Sequence, residues 1–139
     1  MASRSRSRQL ALQLLFQKEF AVQSPKAMEH FWDENATDEV TREFCDRLVL
    51  GVETHRETLD IEISAYLKNW SLERIATMDR LILRMAFYEL TIDKKVPWKV
   101  VIDEAITLSK LFSSDKSPTF INGVLHAWST LNGLTVPDA

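Results

Sequence analysis

Arg4, Arg6 and Arg8 place three cations near the start of the chain, with no acid among the first eight residues. Guanidinium groups at this density neutralise phosphates well, because each cation brought to a phosphate can release a condensed counterion. A solvated, frayed terminus would account for the same residues, and on the arm alone both readings stay open. Near the other end, Thr119-Phe120-Ile121-Asn122-Gly123-Val124-Leu125 sets an aromatic, an amide and a glycine at the start of an apolar helix. Phe120 can stack on an unpaired base, Asn122 can read a base edge, and the helix N-terminus favours a phosphate. A glycine in a helix costs about 1 kcal/mol relative to alanine, and close approach of a neighbouring helix is the structural explanation to expect.

Other chemistry is hard to assemble. His30, His55 and His126 fall on different expected helices, and none stands at metal-ligand spacing from another histidine or cysteine. Neither a metal nor a cofactor is expected. Cys45 is the only cysteine, so no intramolecular disulfide can form. It sits in an apolar stripe beside Phe44, the setting of a small buried hydrophobe and not of a nucleophile. There is no Gly-rich phosphate loop, nucleophile elbow or dinucleotide fingerprint, and the carboxylates fall singly on polar helix faces. No catalytic acid-base pair can be written from these residues without inventing a fold around it.

Stepping from these residues to the chain that must position them, 139 residues with 45% hydrophobic and 27% charged side chains suit one compact domain. The net charge of −3 conceals an asymmetry: outside the arm, 14 basic residues face 20 acidic ones, a balance of −6. Three glycines and four prolines argue against a turn-rich β-sandwich or barrel. No apolar run approaches the roughly 18 to 20 residues of a membrane span, and Ser-Arg alternation is unlike a secretory signal. With the single cysteine, this makes a cytoplasmic location the expectation.

The periodicity predicts helices throughout. The first runs from about Arg4 to Val22, with Leu10, Leu14, Phe20, Ala11, Leu15 and Val22 at three- and four-residue spacings. Arg4 and Arg8 share one of its faces. A short second helix starts at Pro25 and includes Phe31 and Trp32. After a loop in which Thr37 or Asp38 can act as cap, Val40, Phe44, Leu48 and Val52 form a core stripe with Cys45 and Val49. Leu59, Ile63 and Tyr66 continue into a helix ending near Trp70. Ser71 begins another, and from Met78 to Thr91 this one is apolar on nearly all sides, as befits the central rod of a bundle. Its thin polar stripe holds Asp79, Arg80 and Arg84, the arginines either paired with acids of neighbouring helices or facing phosphate. Pro97 opens a helix with Val101, Ala105, Leu108 and Phe112 inward. Ser117-Pro118 opens the last, which Asn132-Gly133 ends. The expectation is an all-α fold of about seven helices in two packed bundles, with subdomains of about 1–70 and 71–139.

Four blocks then carry a resemblance: Arg-Ser-Arg-Gln-Leu-Ala-Leu-Gln-Leu-Leu-Phe (6 to 16), Ile-Leu-Arg-Met-Ala-Phe-Tyr-Glu-Leu (82 to 90), Pro-Trp-Lys-Val-Val-Ile-Asp-Glu-Ala-Ile-Thr-Leu-Ser-Lys-Leu-Phe (97 to 112) and Phe-Ile-Asn-Gly-Val-Leu (120 to 125). Together the sequence resembles the NusB family of bacterial transcription antitermination factors over almost its full length. The resemblance implies two perpendicular helical bundles without enzymatic activity. It also implies binding of boxA RNA together with the ribosomal protein NusE, and a part in an antitermination complex on RNA polymerase, notably on ribosomal RNA operons.

By the same resemblance, RNA contacts fall to Arg4, Arg6, Arg8, Phe120 and Asn122, and NusE contacts to Phe16, Asp79 and Arg84. Family members commonly carry a basic residue before the Phe of the last block and an Asp after its Leu, where this chain has Thr119 and His126. Lys116 in the preceding loop is the candidate to replace the missing charge. The expected mechanism is a non-catalytic adaptor with RNA along a track from the arm to the last helix. Two alternatives are a helical homodimer indifferent to RNA and a relative of the RNA-binding domain of ribosomal RNA cytosine methyltransferases. No cofactor-binding motif appears before Ala139, which argues against a full enzyme.

Overall fold

The computed structural model describes residues 3–69 and 71–134. Among them the chain forms seven α-helices and no strand. Its contacts divide it into two compact units, Met1–His55 and Arg56–Ala139. The division therefore precedes the fourth helix, whereas the sequence places it near Trp70, which lies outside the described residues.

The first unit holds α1 (Arg4–Phe20), α2 (Pro25–Glu34) and α3 (Glu39–Thr54). Each starts on a side-chain cap: Ser3, Ser24 and Asp38 accept from the backbone N–H groups of Arg6, Ala27 and Thr41. Such caps satisfy donors that have no partner inside the helix. α1 and α3 lie side by side and run the same way. At their starts the Ser3 amide donates to Thr41 Oγ1 (2.9 Å) and the Ser7 hydroxyl to the Thr41 carbonyl (2.7 Å). Near their ends Lys18 pairs with Glu53 at 2.8 Å. Leu10, Leu14, Cys45 and Leu48 are buried along the two helices, each leucine contributing about 1.5–3 kcal/mol by leaving water.

The inward stripes are shorter than their periodicity suggests. Phe20, Val22 and Val40 are exposed. Phe20 and Val22 lie at and beyond the last turn of α1, and Val40 precedes the level of Thr41 at which α1 begins.

The second unit holds α4 (Arg56–Ser64), α5 (Thr77–Phe87), α6 (Trp98–Phe112) and α7 (Ser117–Leu131). α5 packs on the other three, and every residue from Leu81 to Leu90 is buried, which makes it the central rod of this unit. The start at Ser71 proves to be a single 3-10 turn, Leu72–Arg74, ahead of α5 itself. Beyond Phe87 the coil widens into a π-helical turn, Tyr88–Asp93, where the Thr91 hydroxyl donates back to the Phe87 carbonyl at 2.7 Å and competes with the regular ladder. Pro97 caps α6, and Gly133 ends α7 with φ +72°, a backbone conformation that costs glycine nothing.

Candidate nucleic-acid interface

The arginine arm is helical from Arg4 onward and so is not a frayed tail. Ser3 fixes its first turn. The Thr41 hydroxyl that holds the Ser3 amide donates in turn to Asp38 Oδ2, while the Thr41 N–H donates to Asp38 Oδ1, both at 2.8 Å. These two bonds hold the Asp38 carboxyl below its ordinary 3.8.

The three arginines do not share one environment. Arg4 is exposed, its guanidinium 5.1 Å from the centre of the Phe44 ring. Arg6 is half-buried and reaches Gln9 and Asn35 at 3.4 Å each. Arg8 is only 3% exposed and lies 5.4 Å from the same Phe44 ring. This corrects the expectation of three phosphate contacts. The face shared by Arg4 and Arg8 is the face against which α3 packs, so the residue one turn further in is covered.

The second surface surrounds the start of α7. The loop before it is pinned from below by Asp79, whose carboxylate accepts the Ser113 hydroxyl at 2.6 Å and the Ser117 hydroxyl at 3.0 Å. Lys116 is exposed, and its carbonyl accepts the Phe120 N–H at 3.3 Å. Phe120 is half-buried and stands between two clefts. One, of about 220 Å³, is shared with Arg74, Ser114 and Lys116. The other, of about 450 Å³, is shared with Tyr66, Lys68, Asn69 and Gly123.

Gly123 is exposed, and a Cβ there would meet nothing within 4 Å. Close helix approach, the structural explanation expected for this glycine, is therefore overturned. Asn122 does not join Phe120. Two residues along a helix is a rotation of about 200°, and Asn122 opens onto a different groove with Trp98, Lys99 and His126.

Of the residues expected to face a protein partner, Asp79 and Arg84 are 7% and 3% exposed and are occupied inside the unit, Asp79 by the two serines and Arg84 by Asp60. Their polar stripe on α5 is an internal one, which corrects both assignments. Phe16 is half-buried and meets Phe20 edge-on at 4.9 Å, an aromatic pair at the exposed end of α1.

Tyr66, Lys68 and Arg74 were not singled out from the sequence. Their signal was the polar and aromatic connection between α4 and α5, which reads as a helix continuation until the chain is folded. Among the described residues no cluster of three or more His, Cys, Asp or Glu could hold a metal. Burial pushes the Cys45 thiol up to about 12, so it stays protonated and inert at neutral pH. No helix among the described residues is long and apolar enough to cross a membrane.

A half-buried aromatic at a helix start with cations on either side, as Phe120 has, places the chain among helical proteins whose surface combines charge with an aromatic ring. Comparison with known proteins narrows the class. The sequence profile of the NusB family matches residues 5–129. The chain is 45% identical over 123 residues to the transcription antitermination protein NusB of Bacillus pumilus, covering 88% of this chain and 91% of that protein. It is 40% identical to the NusB of Geobacter sulfurreducens over 140 residues, 99% of each. A solved structure of T. maritima NusB superposes with a TM-score of 0.80 at 34% identity, covering 94% of this chain and 93% of that one. A structure of antitermination factors NusB and NusE in complex with dsRNA matches with a TM-score of 0.81 at 25% identity, over 92% and 96%. The chain belongs to the NusB family.

Proposed function

We propose that this protein is a cytoplasmic adaptor that binds boxA-type single-stranded RNA together with NusE and helps assemble an antitermination complex on RNA polymerase, notably at ribosomal RNA operons. The observation that carries the reading is the start of α7, where Phe120 has Arg74 and Lys116 on one side and Tyr66 and Lys68 on the other. Aromatic faces stack on unpaired bases while nearby cations hold the flanking phosphates. The solved complex of NusB and NusE with dsRNA supports RNA and NusE as the kinds of partner. Arg4 supplies a further phosphate contact in the first unit, and Arg6 a partial one. Arg8 supplies charge from beneath. An acidic remainder of the chain disfavours RNA elsewhere, which confines it to these surfaces.

Phe16, with Phe20, is the part of the expected NusE-facing set that stays accessible. Thr119 in place of a basic residue makes binding without NusE weak, and Lys116 restores part of the missing charge. Replacing Lys116 with Ala should therefore reduce the salt dependence of RNA binding by about 0.7 in log–log slope, the share of one phosphate on a single strand. The deciding experiment is size-exclusion chromatography with mass measurement. A ternary complex with one copy each of the protein, NusE and a boxA oligonucleotide is expected. A stable homodimer indifferent to RNA would overturn the adaptor.

A further inference from the structure

Asn122 and His126 are exposed, stand four residues apart on α7 and so share one of its faces. Counting about 100° per residue from Phe120, Gly123 falls at about 300°, His126 at about 240° and Asn122 at about 200°. His126 therefore lies between the side of α7 that carries the Phe120 cleft and the side that carries Asn122. The clefts agree with this, since His126 lines both of them. It is the ridge where they meet, about 9 Å along the helix from Phe120.

The groove beyond that ridge is built by α6 and α7. Trp98 is half-buried in it, and the Lys99 ammonium stands 5.7 Å from the centre of the Trp98 ring. Asp103, farther along α6, is exposed on the same groove. An aromatic plane is thus surrounded by an amide, an imidazole, a cation and a carboxylate. The volume is about 220 Å³, below the roughly 300–1,000 Å³ of a pocket for a drug-sized molecule, which suits one flat ring system. A protein interface is centred on an apolar core, and none of the aliphatic side chains lining this groove is exposed.

Charge decides which part of a strand can enter. Lys99 and Asp103 balance within the groove, whereas the Phe120 cleft is lined by Lys68 and no acid. The carboxylate repels phosphate, so a strand crossing the ridge keeps its backbone toward the exposed Lys68 and Lys99 and turns a base inward.

We propose that the α6–α7 groove is a second base site for the same single strand. The base stacks on Trp98, Asn122 and Asp103 read its edge, Lys99 holds its phosphate, and the strand passes over His126. Asn122 thereby takes a base-reading role in this groove, away from the base stacked on Phe120. Asp103 as a carboxylate only accepts hydrogen bonds. The site therefore favours a base with an exocyclic amino group, adenine, cytosine or guanine, over uracil, whose exocyclic groups are both acceptors. The proposal rests on the reading of the Phe120 cleft as an RNA site, and adds to it a second base position with a preference of its own.

The test uses the full chain with NusE and a single-stranded boxA oligonucleotide from which bases are removed one at a time, leaving sugar and phosphate. With the wild type, removal at each of two separate positions should weaken binding about five-fold or more, the lower end for losing one stacked base. Phe120→Ala should make binding indifferent to the base at one of them, and Trp98→Ala at the other. Asp103→Asn should remove the penalty for uracil at the Trp98 position and leave the Phe120 position as it was. A wild-type profile in Trp98→Ala overturns the second site and leaves the first standing. Affinity and profile unchanged in both Phe120→Ala and Trp98→Ala would instead overturn the RNA reading itself. NusE lost from Trp98→Ala with the RNA profile intact assigns the groove to a protein and also defeats the proposal. Asn122 is exposed, so Asn122→Ala keeps the fold and decides the matter if Trp98→Ala does not. It should reduce the base preference at the second position several-fold, and a preference left unchanged sinks the second site.

Discussion

Arg84 grips Asp60 with two parallel hydrogen bonds, Nε to Oδ1 at 2.7 Å and Nη2 to Oδ2 at 3.0 Å, joining the last turn of α5 to α4. The arginine side chain is 4% exposed and the aspartate 29%, so the pair is anchored inside with one edge toward water. Removing Asp60 alone strands a guanidinium in the rod of the unit. Asp60→Ala should cost about 3 kcal/mol, the lower end of the range for breaking a buried pair from one side. The double variant Asp60→Leu with Arg84→Met should recover most of that loss and keep NusE binding. Urea unfolding measures the first and co-elution the second. A double variant as unstable as Asp60→Ala would remove pairing as the reason for Arg84.

Asp79 does for the α6–α7 loop what Asp60 does for α5. It accepts two serine hydroxyls, from Ser113 and Ser117, and Ser114 joins the cluster at 2.9 Å from Ser117. Hydrogen bonds to a charged group contribute about 1.5–3 kcal/mol each, and Asp79→Ala loses both at once. The expected loss of stability is about 2 kcal/mol, because the loop can relax toward water. RNA affinity should fall with it, since the same loop positions Lys116 and Phe120. Thermal melts and RNA titration check the two effects. Lost stability with undiminished RNA binding would detach the loop from the site.

The helices were legible because their ends are written in local chemistry: Ser24-Pro25 and Asp38 at starts, Asn132-Gly133 at a stop. Interruptions inside the apolar rod were not. The π-helical turn after Phe87 depends on a threonine hydroxyl choosing a carbonyl over water, and the apolar pattern runs on through it. At the site, the placing of Lys116 and Phe120 beside the start of α7 was legible, since it depends on one helix start alone. Arg8 was assigned to a phosphate by the pattern of the arm and the resemblance, and Asp79 and Arg84 to a partner by the resemblance. The thin polar stripe of α5 also allowed the pairing with a neighbouring helix that Arg84 makes with Asp60. Burial of a charge is decided by what another helix brings, here Phe44, two serines and Asp60, and periodicity along a single helix carries no trace of those. The divergence of Asn122 from Phe120 was legible and missed, since two residues on a helix always face apart.

Asp38 links stability to pH through the same cap that orders the arm. Its folded carboxyl ionises below the ordinary 3.8 because the Thr41 N–H and hydroxyl both donate to its charged form. The stabilisation is therefore complete above the unfolded value of 3.8 and is lost as the pH falls through the lower folded value. Asp38→Ala should be less stable than the wild type at neutral pH, and the gap should close under acid below 3.8. Denaturation series at neutral and acid pH test this. A gap that persists unchanged into acid would mean that the carboxylate is not the stabilising group.

Gly123 separates stability from function most sharply. Its position in α7 is an ordinary helical one with open space where a side chain would stand, so alanine fits without a clash. Gly123→Ala should stabilise the protein by about 0.5–1 kcal/mol, since alanine gives up less backbone freedom on entering a helix. On the proposed RNA reading, the cost of this glycine is offset at the surface it opens. The glycine lines the cleft between Phe120 and Tyr66, where, on the proposed reading, a bare backbone would let a stacked base and its sugar come close. The expected outcome is opposed shifts: a melting temperature raised by a few degrees and RNA affinity reduced several-fold, with bulkier Gly123→Val binding more weakly still. Stabilisation with full RNA affinity in both variants would show that the strand passes on another side of Phe120.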